Sequence, residues 1–254
     1  MRSVIWAGCG TAFTFAMTTL GAALVFFFRR SIGERVQCAC LGFAAGVMSA
    51  AAVFSLLVPA MEQTQEMGGS PFVIVTLGFV LGAAMIACVD ALLRRMKGVR
   101  RAGDISRRRT LMFTAVTLHN IPEGMAVGLA FALAARDGGL GLAAAVTLAL
   151  GIGIQNFPEG AAVALPLRQS GMSRMRAFAL GTLSGAVEPV FGVLVVLAAT
   201  VVRQAMPLLM AFSAGAMMYV VICEMIPEAS GERSGTRFAM VGYIVMMALD
   251  IALG

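Results

Sequence analysis

Charge and histidine are both scarce in this chain. Of its 254 residues only 13% are charged, and His119 is the one histidine. Hydrophobic residues make up 59% and mean hydropathy is +0.90, so too few polar side chains remain to cover a water-soluble domain of this size. The cysteines number five, an odd count that argues against a disulfide framework. No GxxxxGK(S/T) run is present, which leaves no phosphate loop for ATP to drive the chain directly. No loop is long enough to fold into a basic soluble surface, so the net charge of +6 needs no nucleic-acid partner. Nor is a cleavable signal evident: only Arg2 precedes a first apolar run too long for a signal peptide.

Long apolar runs, by contrast, are abundant. A helix crossing the hydrocarbon needs about 20 mostly apolar residues. Runs of that kind fall at 4–28, 39–60, 71–93, 110–135, 140–167, 172–202, 205–227 and 238–253. The expected fold is an all-α integral membrane protein of eight transmembrane helices, forming a single domain over 1–254. Basic residues orient it. All but Arg2, Arg136 and Arg203 of the 19 Lys and Arg residues fall in alternate loops, around Arg29, Arg30 and Arg35, over 94–109, around Arg168, Arg174 and Arg176, and at Arg233 and Arg237. That side is read as cytoplasmic, with 94–109 its basic loop and both termini extracytoplasmic. The lipid bilayer is the surrounding partner, a multi-pass place in a cell membrane is expected, and a homodimer is left open.

Two strings inside the apolar runs carry the chemistry. His119-Asn120-Ile121-Pro122-Glu123-Gly124 and Gln155-Asn156-Phe157-Pro158-Glu159-Gly160 repeat one pattern at an offset of 36 residues (155 − 119). Ionisable side chains inside a span are costly and mark ion or substrate paths. His119 is nine residues into its run, ~14 Å deep, and Gln155 fifteen residues into an antiparallel run, ~22 Å, so both motifs reach mid-membrane. Positions i, i+3 and i+4 project His119, Asn120 and Glu123 from one side of a helix, and Gln155, Asn156 and Glu159 repeat that geometry. Pro122 and Pro158 release the carbonyls of Leu118 and Ile154. Gly124 and Gly160 allow close helix approach.

Two carboxylates, an imidazole and three amide oxygens suit a divalent transition metal such as Zn²⁺ or Fe²⁺. No Cys₄ or Cys₂His₂ set exists to hold a permanent structural zinc. Weak amide ligands fit a metal that must leave again, so the ion is cargo, and no catalytic cofactor is expected. An intramembrane metal-dependent hydrolase is the alternative. It would want a firmly held metal beside a general base, as in HExxH, and there is no second histidine.

The paired motifs resemble those of the ZIP (Zrt/Irt-like protein) divalent-metal transporters, and Gly46-Val47-Met48, Phe54-Ser55-Leu56-Leu57 and Glu188-Pro189 are similar to the bacterial branch. The resemblance implies a 3 + 2 + 3 inverted-repeat arrangement and a mid-membrane binuclear site carrying zinc, or iron, manganese, cobalt or cadmium, into the cytoplasm. One ion would use His119, Glu123, Gln155 and Glu159 with Met48 beside it. The second would use Asn120, Asn156 and Glu188, with Glu123 and Glu159 able to bridge. The family's cytoplasmic histidines are missing from 94–109, whose positive charges suit anionic headgroups instead.

Other polar residues mark candidate paths. Glu62 and Asp250 lie toward the outside as entrance carboxylates, and Asp90 and Glu224 toward the inside as exit candidates. Asp90 is also spaced to pair with Arg94, four residues on. A structural role for Glu188 would pair it with Ser184. Cys38 and Cys40 stand at the cytoplasmic end of the second run, where a departing soft metal could meet them. Phe43-Ala44-Ala45-Gly46-Val47-Met48 is echoed by Phe212-Ser213-Ala214-Gly215-Ala216-Met217, an offset of 169 (217 − 48) between runs of opposite direction.

Overall fold

Inside lipid a backbone has no hydrogen-bond partner but protein, so long apolar runs become helices. The computed structural model describes residues 2–27, 33–95, 97–136, 141–169, 171–197 and 199–253, and every regular element among them is helical. The chain forms α1 (Arg2–Ala22), which ends in a 3₁₀ turn, α2 (Glu34–Ala51), α3 (Val58–Glu66) and α4 (Pro71–Arg95). There follow α5 (Lys97–Arg136), α6 (Leu142–Gln169), α7 (Arg174–Gly185) and α8 (Val187–Leu197). The last are α9 (Ala199–Val220), α10 (Ile226–Ala229) and α11 (Arg233–Leu253).

Several of these join end to end. A π turn over Ala52–Leu57 links α2 to α3, and another over Val221–Met225 links α9 to α10. Each leads directly into a proline, Pro59 or Pro227, which cannot donate to the ladder and whose ring crowds the carbonyl four residues back. The wider π turn carries the chain past that clash. It also carries a polar residue in each case, Ser55 in the first and Glu224 in the second.

Among the described residues, six helical stretches are long and apolar enough to cross a membrane: Arg2–Phe26, Cys38–Glu66, Pro71–Leu92, Arg174–Leu197, Gln204–Ala229 and Arg233–Ala252. The two motif helices, α5 and α6, fall outside that set because their polar motif residues lower the mean hydropathy. The stretch read as a loop over 94–109 is helical from Lys97 onward, as the N-terminal extension of α5. Arg29 and Arg30 lie outside the described residues, as do the side chains of 97–109, Arg136 and Arg203.

The helices pack in matched pairs: α1 on α6, α5 on α8, α2 on α11 and α4 on α9. Glycines set the closeness of each crossing. A Cβ at Gly160 would strike the Thr18 carbonyl, and one at Gly124 the backbone of Glu188. Gly46 likewise lies against Ala239, and Gly215 against Phe79. Burial is inverted relative to a water-soluble protein. Phe72 and Leu197 are 79% and 81% exposed, whereas His119, Glu123, Glu159 and Glu188 are at most 1% exposed.

Candidate metal centre

Backbone approach at the two motif glycines brings four helices together around the motifs. Gly124 admits α8 against α5, so Glu188 arrives one helix away from Glu123. Gly160 admits α1 against α6, which brings Thr14 and Thr18 to the same place. Helical spacing then turns His119 and Glu123 toward each other on α5, with Nε2 3.1 Å from Glu123 Oε1. The same nitrogen is 3.3 Å from Glu159 Oε1 on α6. One ligand atom from each of His119, Glu123 and Glu159 lies within 4.8 Å of the others, close enough to share a metal ion.

The amides bind these carboxylates to one another. Gln155 Nε2 donates to Glu123 Oε1, and Gln155 Oε1 lies 3.0 Å from Ser55 Oγ. Asn156 Nδ2 donates to Glu188 Oε2 at 2.9 Å and to the Thr14 carbonyl at 3.3 Å. Thr18 Oγ1 donates to Glu188 Oε1 at 3.2 Å. Asn120 Nδ2 donates to the Ser184 carbonyl at 2.9 Å, which leaves its own oxygen turned away from α7.

Satisfying those donors leaves acceptors stranded. Asn120 Oδ1, Glu123 Oε2, Asn156 Oδ1 and Glu159 Oε2 are buried without a partner, and His119 Nε2 and Glu159 Oε1 have none beyond the contacts at 3.1 and 3.3 Å. Buried polar groups in native proteins are nearly always paired, because an unpaired one costs about 1–3 kcal/mol. A cluster of unpaired oxygens and one imidazole nitrogen, drawn from both motifs, is chemically a set of lone pairs. Such a set suits a cation.

The structure separates the remaining candidates. Met48 is buried in the apolar core of α2. Glu188 meets Thr18 and Asn156 rather than the hydroxyl of Ser184, which donates to its own helix at the Gly181 carbonyl. Ser184 was the partner expected only if Glu188 were structural, and the tight α1 crossing supplies a different hydroxyl. Asp250, on α11, receives a hydrogen bond from Ser55 at 2.8 Å, so a polar link runs from Gln155 through Ser55 to Asp250. Glu62 is exposed near the end of α3. Asp90 is buried and pairs with Arg94 at 3.0 Å; with Glu224 it falls within electrostatic reach of Tyr219. All five cysteines are free thiols, and Cys38 Sγ is 3.7 Å from the Glu228 carbonyl.

Sequence reasoning did not single out Thr14, Thr18, Ser55 or Ser213 as site residues. Ser213 Oγ is 3.3 Å from His119 Nδ1. The one signal for it was its place in the repeated Phe-Ala-Ala-Gly-Val-Met segment, where it replaces an alanine.

Known proteins resemble this chain along nearly its whole length. The family model of the ZIP zinc transporters matches residues 101–250, which include both motifs and Glu188. The human protein "Zinc transporter ZIP11" is 36% identical across 99% of this chain and 98% of its own length. "Zinc transporter GufA" of Myxococcus xanthus is 38% identical over 93% of this chain and 94% of its own. "Zinc transporter ZIPB" of Bordetella bronchiseptica is 37% identical over 98% and 82%, respectively. With relatives aligned along nearly its whole length and both motifs inside the matched region, this chain belongs to the ZIP zinc transporter family.

Proposed function

We propose that the chain carries divalent transition-metal ions, zinc foremost, across a membrane into the cytoplasm through the buried motif cluster. The observation that carries this is the set of stranded lone pairs on His119, Asn120, Glu123, Asn156 and Glu159. A hydrophobic interior holds such a set at high cost unless a cation visits it. Relatives named as zinc transporters make zinc the leading cargo.

Two ions fit the donor set. The first would rest on His119, Glu123, Gln155 and Glu159, with Met48 as the soft neighbour. The second would rest on Asn120, Asn156 and Glu188, with Glu123 and Glu159 between the pair. Amide oxygens bind weakly, which suits a cargo that must leave. Glu62 and Asp250 are assigned to the entrance, Asp90 and Glu224 to the exit. Eight spans in a 3 + 2 + 3 inverted repeat are supported by the packing: α1 meets α6 as α8 meets α5, and α2 meets α11 as α9 meets α4. The paired π turns and the repeated Phe-to-Met segment support the same relation.

A hydrolase would need a general base held apart from the ligands, and both motif glutamates are already committed to the cation cluster. Purified protein in liposomes loaded with a zinc-sensitive dye tests the proposal. Zinc-dependent dye response above protein-free vesicles is expected. No response, from protein that remains folded, would overturn it.

A further inference from the structure

A cavity of about 750 Å³ opens beside the metal cluster, between α2 and α11 on one side and α6 on the other. Its lining is almost wholly apolar, and its few polar members are sorted by position. Arg35 and Ser234 stand together at one end, where Ser234 Oγ donates to the Arg35 carbonyl at 3.1 Å. Gln155 lies at the other end, where it also touches Glu123.

The length is informative. Along α2 the wall is a stripe of Arg35, Ala39, Phe43 and Val47, spaced four apart on one helix face. Twelve residues of helix rise ~18 Å. Half of a ~30 Å hydrocarbon core is about 15 Å, the depth that one leaflet's acyl chain fills. Arg35 is exposed at the mouth, on the side that the arginine bias assigns to the cytoplasm. A guanidinium at headgroup level above an apolar slot one leaflet deep matches a phosphate joined to an acyl tail.

We propose that this groove seats one phospholipid per chain, with its phosphate on Arg35 and one tail along the α2 stripe, ending beside Gln155. The tail is then a wall of the metal site. It covers the lateral face of Gln155, keeps water from the cluster on that side, and so strengthens every charge interaction within it. The inference rests on the membrane placement proposed above, but lipid retention is read without any transport, so each can fail alone.

The test is native mass spectrometry of the full chain in detergent, with added dioleoylphosphatidylglycerol or with dioleoylglycerol, which has the same tails and no phosphate. One phospholipid should survive activation that strips the rest, and dioleoylglycerol should not. Arg35→Ala, an exposed change that leaves the core intact, should lower the retained fraction by about 10-fold, as expected for loss of a charge-assisted contact. Ala44→Trp, which fills the slot from its buried wall, should abolish retention. Phe72→Ala, on the outward face of α4, should leave it unchanged. Equal retention of the two lipids, or equal retention by Arg35→Ala and wild type, would overturn the proposal and leave only unspecific surface lipid.

Discussion

Ser213 Oγ lies 3.3 Å from His119 Nδ1 and 3.3 Å from the His119 carbonyl oxygen. A carbonyl can only accept, so it takes the single hydroxyl proton when the imidazole binds metal. Nδ1 then keeps its hydrogen and donates it to Ser213, and Nε2 is bare toward Glu123 and Glu159. A serine on α9 would thus fix the tautomer of His119, the ligand proposed on α5, as partners of metal-binding histidines commonly do. Ser213→Ala should weaken zinc binding by about 10-fold while leaving the fold intact, measured by competition with a chelating dye. Unchanged affinity would show that ring orientation comes from packing alone.

Packing itself can be tested at Gly124. A methyl group there would meet the backbone of Glu188, which cannot yield as a flexible side chain would. Gly124→Ala should push α8 from α5, cost about 1–3 kcal/mol of stability, and reduce zinc binding because Glu188 leaves the cluster. Gly33→Ala, where nothing lies within 4 Å, is the matched control. Thermal melts and zinc titration of the two variants should diverge. Similar behaviour would mean that the close crossing does not place Glu188.

Protons and metal compete for the same lone pairs. His119 must be neutral to ligate, and carboxylates bind as anions. Binding should therefore be strong at neutral and alkaline pH and fall steeply as pH drops from about 7 to 5, with proton release on zinc addition. Calorimetry in buffers of different ionisation enthalpy measures the released protons. A flat profile without release would rule out this imidazole and carboxylate set.

The motif helices were legible because their chemistry is extreme. Two Pro-Glu-Gly repeats in apolar runs fix the helix faces by spacing, and Gly124 and Gly160 do mark close crossings. The hydroxyls were not legible. Thr11 and Thr64 bond the carbonyl four residues back in their own helices, at 2.8 and 2.7 Å, which is the local default. Thr18 contacts its own helix at Thr14 and also reaches Glu188, a difference that depends on which helix lies opposite. Ser55 was equally hidden, since nothing local announces that a π turn aims it between Gln155 and Asp250. The helical extension from Lys97 escaped notice because its charges read as a loop when only hydropathy was weighed.

Non-equivalence of the two proposed ions has its own signature. Asn156 and Glu188 hold each other at 2.9 Å, and Glu188 also accepts from Thr18. Glu188→Gln keeps the size and removes the charge, so the second ion should be lost and the first retained. Equilibrium titration with Cd²⁺ should fall from two ions to one per chain. Two ions in the variant would break the assignment.

Passage of cargo through the cluster of His119, Glu123 and Glu159, whose ligand atoms lie within 4.8 Å of one another, is the heart of the proposed function. Its most direct test is zinc uptake into dye-loaded liposomes by wild type and by Glu159→Gln, which preserves shape and deletes one charge. At least about a 10-fold loss of initial rate is expected, in line with one strong charge-assisted ligand, from protein that melts at or above the wild-type temperature. Uptake at the wild-type rate by folded Glu159→Gln would contradict it.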